Sequence, residues 1–206
     1  MRKLLVLLVI VGLLIAGDIW VKNTAEKRVA DQVQASFARR GDTEVEFSGF
    51  PFIVRLVAGS IPSAKLMSTS LERSGVHLTD LRMTMQDVTF SWSKILAGEI
   101  ESVGIRDGHG RASIPASDLV DAFGAADGQL EIEVADGKIR VRLGNLEGPA
   151  RLVLDGTDLV LRAPKLGFFK TTLPSFIVGM HYRSVRIDGS DVVLEFSLRG
   201  ANFREL

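Results

Sequence analysis

The residues able to do proton or nucleophile chemistry are few and dispersed. His77, His109 and His181 are the only histidines, and each sits in a segment with the alternation of a strand or turn. A Ser–His–Asp relay needs a base within reach of both a hydroxyl and a carboxylate, and nothing in the spacing of these histidines sets one up. They read as polar strand or turn positions. The Gly-x-Ser-x-Gly elbow, the His-Glu-x-x-His zinc motif, the phosphate loop and the dinucleotide fingerprint are all missing. The absence of cysteine excludes disulfides, thiolate metal sites and lipoprotein acylation. "DGTD" and "DGSD" lack the ligand alternation, the central glycine and the closing glutamate of an EF-hand loop. Met67, Met83 and Met85 suit a soft metal site or an adaptable apolar lining, and with no histidine beside them lining or core is the better reading. The sequence therefore implies neither metal nor cofactor, and no catalysis.

What the sequence has in excess is apolar surface. "FSGFPFIVRLVAG" (Phe47 to Gly59) brings Phe50, Phe52, Ile53 and Leu56 together with Val54 and Val57, and Arg55 is its only charge. Gly49 and Pro51 mark a helix start and Gly59 a stop. The segment is too short to span a bilayer, which takes roughly 20 apolar residues. As a helix it is apolar on every side, so the protein's own core, a partner or lipid must cover it. A second such segment, "LGFFKTTLPSFIVGM", carries Phe168, Phe169 and Phe176 and reads as a connection between strands.

The elements that must position these residues follow from periodicity. Residues 1–20 read as a signal peptide or N-terminal membrane anchor, because Arg2 and Lys3 precede an apolar run from Leu4 to Gly17. That run makes a helix of about 21 Å, short of a hydrocarbon core of about 30 Å unless Ile19, Trp20 and Val21 extend it past Asp18. The layout places residues 21–206, one domain, on the outer side of the membrane. Lys plus Arg equals Asp plus Glu at 25 each, so no field recruits nucleic acid. "NTAEKRVADQVQASFARRG" predicts a long helix, capped by Asn23 and stopped at Gly41, with Ala25, Val29, Val33 and Phe37 on one stripe.

Strands follow at Ser63–Glu72, Val76–Trp92 and Glu99–Ile114, with a phase slip near Gln86 and Asp87 that predicts a β-bulge. A short helix, "SDLVDAFG", is capped by Ser117. "QLEIEVADGKIRVRL", "RLVLDGTDLVLRA" and "VRIDGSDVVLEFS" are hairpins at Asp-Gly pairs. The cores "LDGTDLVL" and "IDGSDVVL" match at a separation of 33 residues and read as two similar hairpins in one sheet. Glu131, Glu133, Arg140 and Arg142 fall on the water side. The fold class is α+β, a long antiparallel sheet bent by bulges against one long helix.

This order of features resembles the actinobacterial LmeA-like phospholipid-binding family of the cell envelope, related in fold to the tubular lipid-binding (TULIP) superfamily. "AEKRVADQVQASF" is similar to its first helix, and "GFPFIVRLVAG" to its Gly-Phe-Pro-Phe signature, the most distinctive element. "SGVHLTDLRMTMQDV" is similar to its central strand pair and "IPASDLVDAFG" to its mid-chain helix. Leu173-Pro174 with "YRSVRIDGSDVVLEF" is similar to its closing hairpin. Arg55 departs from the pattern, where a neutral amide or small residue is usual.

The resemblance implies a strongly curved, TULIP-like sheet wrapped around the long N-terminal helix and holding an acyl chain. It also implies non-catalytic binding or carriage of phospholipid in the envelope, possible support of lipoglycan or envelope biogenesis, and a location in the periplasm or envelope at the outer face of the cytoplasmic membrane. Phe50, Phe52, Ile53, Leu56, Met67, Met83, Met85, Phe168, Phe169 and Phe176 are the expected lining or lip, and Arg55 the residue beside a phosphate headgroup. Burying each tail methylene contributes about 0.8 kcal/mol, so a tail needs no polar recognition. The alternative is a membrane-anchored envelope interaction module with a filled core, whose greasy segments meet an unidentified membrane-protein partner.

Overall fold

A computed structural model of the chain describes residues 2–35, 41–73, 75–91, 103–123, 130–135, 137–175 and 177–202. These form an α+β fold dominated by strands. Helix α1 spans Arg2–Ala35, α2 Phe52–Ala58 and α3 Ala116–Ala122. The strands are β1 (Thr43–Phe47), β2 (Ser60–Arg73), β3 (Val76–Thr89), β4 (Gly104–Pro115), β5 (Leu130–Ala135) and β6 (Lys138–Leu143). They continue as β7 (Leu146–Asp155), β8 (Asp158–Ala163), β9 (Gly167–Thr172), β10 (Val178–Asp188) and β11 (Asp191–Asn202).

The strands divide between two antiparallel sheets instead of forming one. The first has the order β1-β2-β3-β4-β11-β10 and the second β5-β6-β7-β8-β9, and neither closes into a barrel. The matching hairpins expected in one sheet are therefore separated, β7–β8 in the second sheet and β10–β11 in the first. Packing of β10 against β7 links the sheets. One core cluster runs through both: Phe47, Leu66, Met83 and Ile105 from the first sheet join Leu159 from the second, with Leu119 of α3. A smaller cluster centred on Ile139, Val141 and Leu161 lies within the second sheet.

Helix α1 does not break at Asn23, the expected cap, but runs straight through it. The Thr24 hydroxyl donates instead to the Trp20 carbonyl within the helix, at 2.8 Å. The described part ends at Ala35; Phe37, Arg39 and Arg40 lie outside the described residues. Ala30 is buried, with Val21, Ala25 and Val33 packed beside it, whereas Val29 is exposed. Among the described residues no helix is long and apolar enough to cross a membrane.

Strand β3 carries the expected slip of phase and a second one. Buried positions step from Met85 to Val88 and from Leu78 to Leu81, around Asp87 and Asp80, both of which have positive φ (47° and 45°). Aspartate tolerates the left-handed region better than most residues, which allows the strand to turn its faces at these two points. At Asp87 the pairing stays in register on both sides, with Gln86 opposite Ser63 and Asp107. The register shift falls instead between Thr79 and Arg82, at Asp80.

β5 and β6 form the hairpin their sequence predicts, paired as far as Ala135 opposite Lys138, with Asp136 outside the described residues, and Glu131, Glu133, Arg140 and Arg142 face water. In the other two hairpins the aspartates pair across the strands, Asp155 with Asp158 and Asp188 with Asp191. Their two-residue loops are thus Gly156-Thr157 and Gly189-Ser190. A positive-φ glycine in the first loop position matches a type II′ turn. Part of the second greasy connection is itself a strand, β9, at the edge of the second sheet.

Tyr182, the chain's only tyrosine, stacks edge-on against Phe196 at 6.2 Å and donates its hydroxyl to the Pro174 carbonyl at 2.8 Å. Burial pushes its phenol well above the ordinary value. Because the folded-state pKa is raised, the stability tied to this group is fully present below about pH 10, where the unfolded phenol titrates, and is lost as pH rises beyond it. In an ultraviolet titration, phenolate absorbance should appear only together with unfolding. A rise near pH 10 from a still-folded chain would show Tyr182 to be solvated.

Candidate functional site

Helix α2 is the element the sequence marks most strongly, and a carboxylate from α1 fixes its position. Asp18 is buried although it sits in α1, and its two oxygens accept the backbone N–H groups of Phe52 and Ile53 at 2.8 and 2.7 Å. The first N–H groups of any helix lack intrahelical partners. Pro51, at the N-cap, offers no side-chain acceptor. Asp18 supplies one from another helix. Glu26, further along α1, accepts the Phe47 N–H at 2.6 Å and pairs with Lys22 at 3.6 Å, so α1 is tied to β1 as well.

The chain leaves α2 through Gly59, whose φ of 69° is left-handed and whose N–H returns to the Leu56 carbonyl at 3.1 Å. A Cβ there would stand 2.6 Å from the Phe90 carbonyl oxygen, so glycine is required twice over.

This mooring divides the expected lip residues. Phe52 is completely buried and stacks on Phe47 at 5.7 Å, and Leu56 is half-buried against the core. Phe50 is 66% exposed, Val54 60%, Val57 73% and Ile53 39%. Arg55 is exposed too, and among the described residues it pairs with no acid. The helix is therefore plugged into the core by one aromatic ring while most of its apolar surface faces outward with a single cation.

The methionines do not share one surface. Met83 and Met85 are buried, opposite Leu66 and Ala64 of β2. Met67 pairs with Arg82, on the other face of the same strands, and is half-buried. Phe168 and Phe169 likewise point to opposite faces of β9, Phe168 at 73% exposure and Phe169 half-buried against the second core cluster. Phe176 lies outside the described residues.

Phe168 lines an open cleft of about 630 Å³ on β8 and β9, with Val160, Pro164 and Gly167 as its apolar part and Arg162 and Lys170 at its edge. Lys170 donates to Asp158 at 2.6 Å. That bond, with one from Thr172, holds the Asp158 carboxyl below its usual range and raises the Lys170 ammonium. A smaller cleft of about 180 Å³, lined by Asp80, Arg111, Ser113 and Asp191, is polar. Neither is an enclosed channel between α1 and the first sheet.

The structure also gathers three residues that sequence spacing leaves apart. Ser70 of β2 lies 2.9 Å from His77 Nε2, and Asp118 of α3 bonds His77 Nδ1. Ser70 and His77 meet because β2 and β3 form one hairpin, in which His77 faces Glu72. Asp118 arrives because α3 packs on β3 and β4. Ser117, expected as the cap of α3, bonds Asp118 at 2.9 Å. The connectivity is that of a nucleophile, base and orienting acid, but catalysis also needs oxyanion donors and room for substrate. Neither cleft is lined by Ser70 or His77. What the three bonds visibly do is fasten α3 to the β2–β3 hairpin. Among the described residues no group of three His, Asp or Glu side chains is placed to hold a metal ion.

The sequence profile of the LmeA-like phospholipid-binding family matches residues 16–197, which include Asp18, α2 and every strand but the end of β11. The chain belongs to this family. Phospholipid is accordingly the ligand class that membership supports. No curated protein and no solved structure matches. Two anchoring residues of α1 show only weakly in the sequence: Asp18 as a lone acid interrupting an apolar run, and Glu26 as one polar residue of the helix.

Proposed function

We propose that the protein binds or carries phospholipid without catalysis, at the outer face of the cytoplasmic membrane in the cell envelope. The observation that carries this reading is α2 and its approach: an outward apolar surface of Phe50, Ile53, Val54 and Val57 with one exposed cation, Arg55, that pairs with no acid among the described residues. That pairing of chemistries matches a phospholipid, with tails for the apolar surface and a phosphate for the guanidinium. Phe52, Met83 and Met85 share one core cluster, against which Leu56 packs, and the flexible thioethers can adapt to neighbours of different shape. Support of lipoglycan or envelope biogenesis is a role this activity would serve.

A photo-crosslinking residue at Ile53 in cells separates this reading from the interaction module. It should capture phospholipid, and capture of a membrane protein instead would favour the module. The Ser70–His77–Asp118 group is structural under this proposal. A fluorophosphonate probe should therefore leave Ser70 unlabelled, and covalent labelling of Ser70 that His77→Ala abolishes would make the protein a hydrolase.

A further inference from the structure

We propose that the junction of α1 and α2 is a membrane foot. Phe50, Ile53, Val54 and Val57, with Ile19 and Trp20 of α1, insert among the headgroups and upper acyl chains of a phospholipid bilayer, and Asp18 holds α2 at that level. The occupant follows from how the patch continues. Below it on α1, Leu13 and Leu14 are each 68% exposed, and the sequence stays apolar back to Leu4. Above it the character of α1 changes over about two turns, to Lys22, Asn23, Glu26, Lys27 and Arg28.

Trp20, 70% exposed, stands at this boundary, where amphipathic rings settle at a membrane–water interface. Arg55 lies within the apolar sequence of α2. Lys22, Lys27 and Arg28 follow Trp20 along α1, with Glu26 paired to Lys22, so cations come next to the apolar residues as phosphate groups above a hydrocarbon layer require. An apolar ring around the base of an apolar helix, edged with positive charge, fits a lipid surface better than a compact protein partner. The proposal needs the apolar end of α1 to enter the lipid, not to cross it. It rests on the family's phospholipid chemistry but not on carriage of a lipid by the domain.

Asp18 is a positioning residue in this arrangement. Seven residues of isolated helix are unstable in water, so α2 needs its mooring to present these side chains together.

The chain has no cysteine, so Val54→Cys can carry a single environment-sensitive fluorophore in the full-length protein. Leu146→Cys, exposed at the turn between β6 and β7, is the control. The protein is reconstituted into vesicles of phosphatidylglycerol and phosphatidylethanolamine containing nitroxide-labelled lipid. The Val54 label should be quenched at least about twofold more than the Leu146 label, as expected for a helix lying in the interface. Equal quenching of the two, with the Val54 label open to a water-soluble quencher, overturns the proposal. Val57→Asp, at an exposed position, should reduce the Val54 quenching while the circular dichroism spectrum is unchanged. Asp18→Ala should abolish the difference although the protein still floats with the vesicles, and full quenching in that variant overturns the role given to Asp18. Immersed Val54 in a protein that extracts without phospholipid would refute carriage and leave the foot standing. The reverse result would refute the foot alone.

Discussion

Phe52→Ala is expected to destabilise the protein by about 3–5 kcal/mol, the range for emptying a fully buried aromatic site. The ring is completely buried and stacked on Phe47, and it is the only α2 side chain that is fully buried. The cavity cannot close easily, because Asp18 holds the backbone of α2 from one side while Gly59 fixes its exit. Equilibrium unfolding of the full chain in mild detergent measures the loss. A change below about 1 kcal/mol would mean that α2 relaxes into the space, and that the ring is not what attaches it. Leu would retain part of the stability and none of the stacking.

Asp18→Ala is expected to cost about 2–6 kcal/mol, although a lone aspartate on an apolar helix would ordinarily be judged unfavourable. Its two oxygens satisfy two backbone N–H groups at the start of α2, one of them buried. Without an acceptor, each such donor forfeits its desolvation at about 1–3 kcal/mol. Asp18→Asn should not restore the loss, since its amide nitrogen would face a second donor. Asp18 and Phe52 act on the same short helix, so their effects should not add: once α2 is released, Phe52→Ala has little left to remove. Unfolding of Asp18→Ala within about 0.5 kcal/mol of the parent chain would show that water serves these N–H groups equally well.

How far the fold could be read from sequence depended on how local the determinant was. The stop at Gly59, the β5–β6 hairpin with its positive-φ Gly137 and the outward charges of β5 and β6 are decided by one residue's φ or by strict alternation, and all are legible. The one-residue displacement of the turns at Gly156 and Gly189 was not, because Asp-Gly and Gly-Thr loops share the same glycine and pairing of the flanking aspartates decides between them.

The assignment of the similar hairpins to different sheets was also hidden. Local sequence specifies a hairpin, whereas its sheet depends on distant partners, β4 for β11 and β6 for β7. The cap expected at Asn23 failed because α1 already runs unbroken through the residues before it, so no terminus arises for Asn23 to cap.

The candidate site divides in the same way. α2 and its apolar excess are visible in thirteen consecutive letters, and so is the anomaly of Arg55. Which of its residues face inward was not, since a helix apolar on all sides gives no periodicity to read. The same limit applied to Met67 against Met83 and Met85, whose faces depend on the register of β2 with β3. Asp18 and the Ser70–His77–Asp118 group need tertiary contacts between positions 34 or more apart in the first case and from three elements in the second.

This member of the phospholipid-binding family is expected to hold lipid as a ligand. Native mass spectrometry of the full-length protein, released from detergent after purification and again after incubation with phospholipid vesicles, tests it most directly. The predicted result is a population heavier than the polypeptide by the mass of at least one phospholipid, diminished by Ile53→Asp or Val57→Asp. Only the bare polypeptide mass, before and after exposure to vesicles, would contradict the claim.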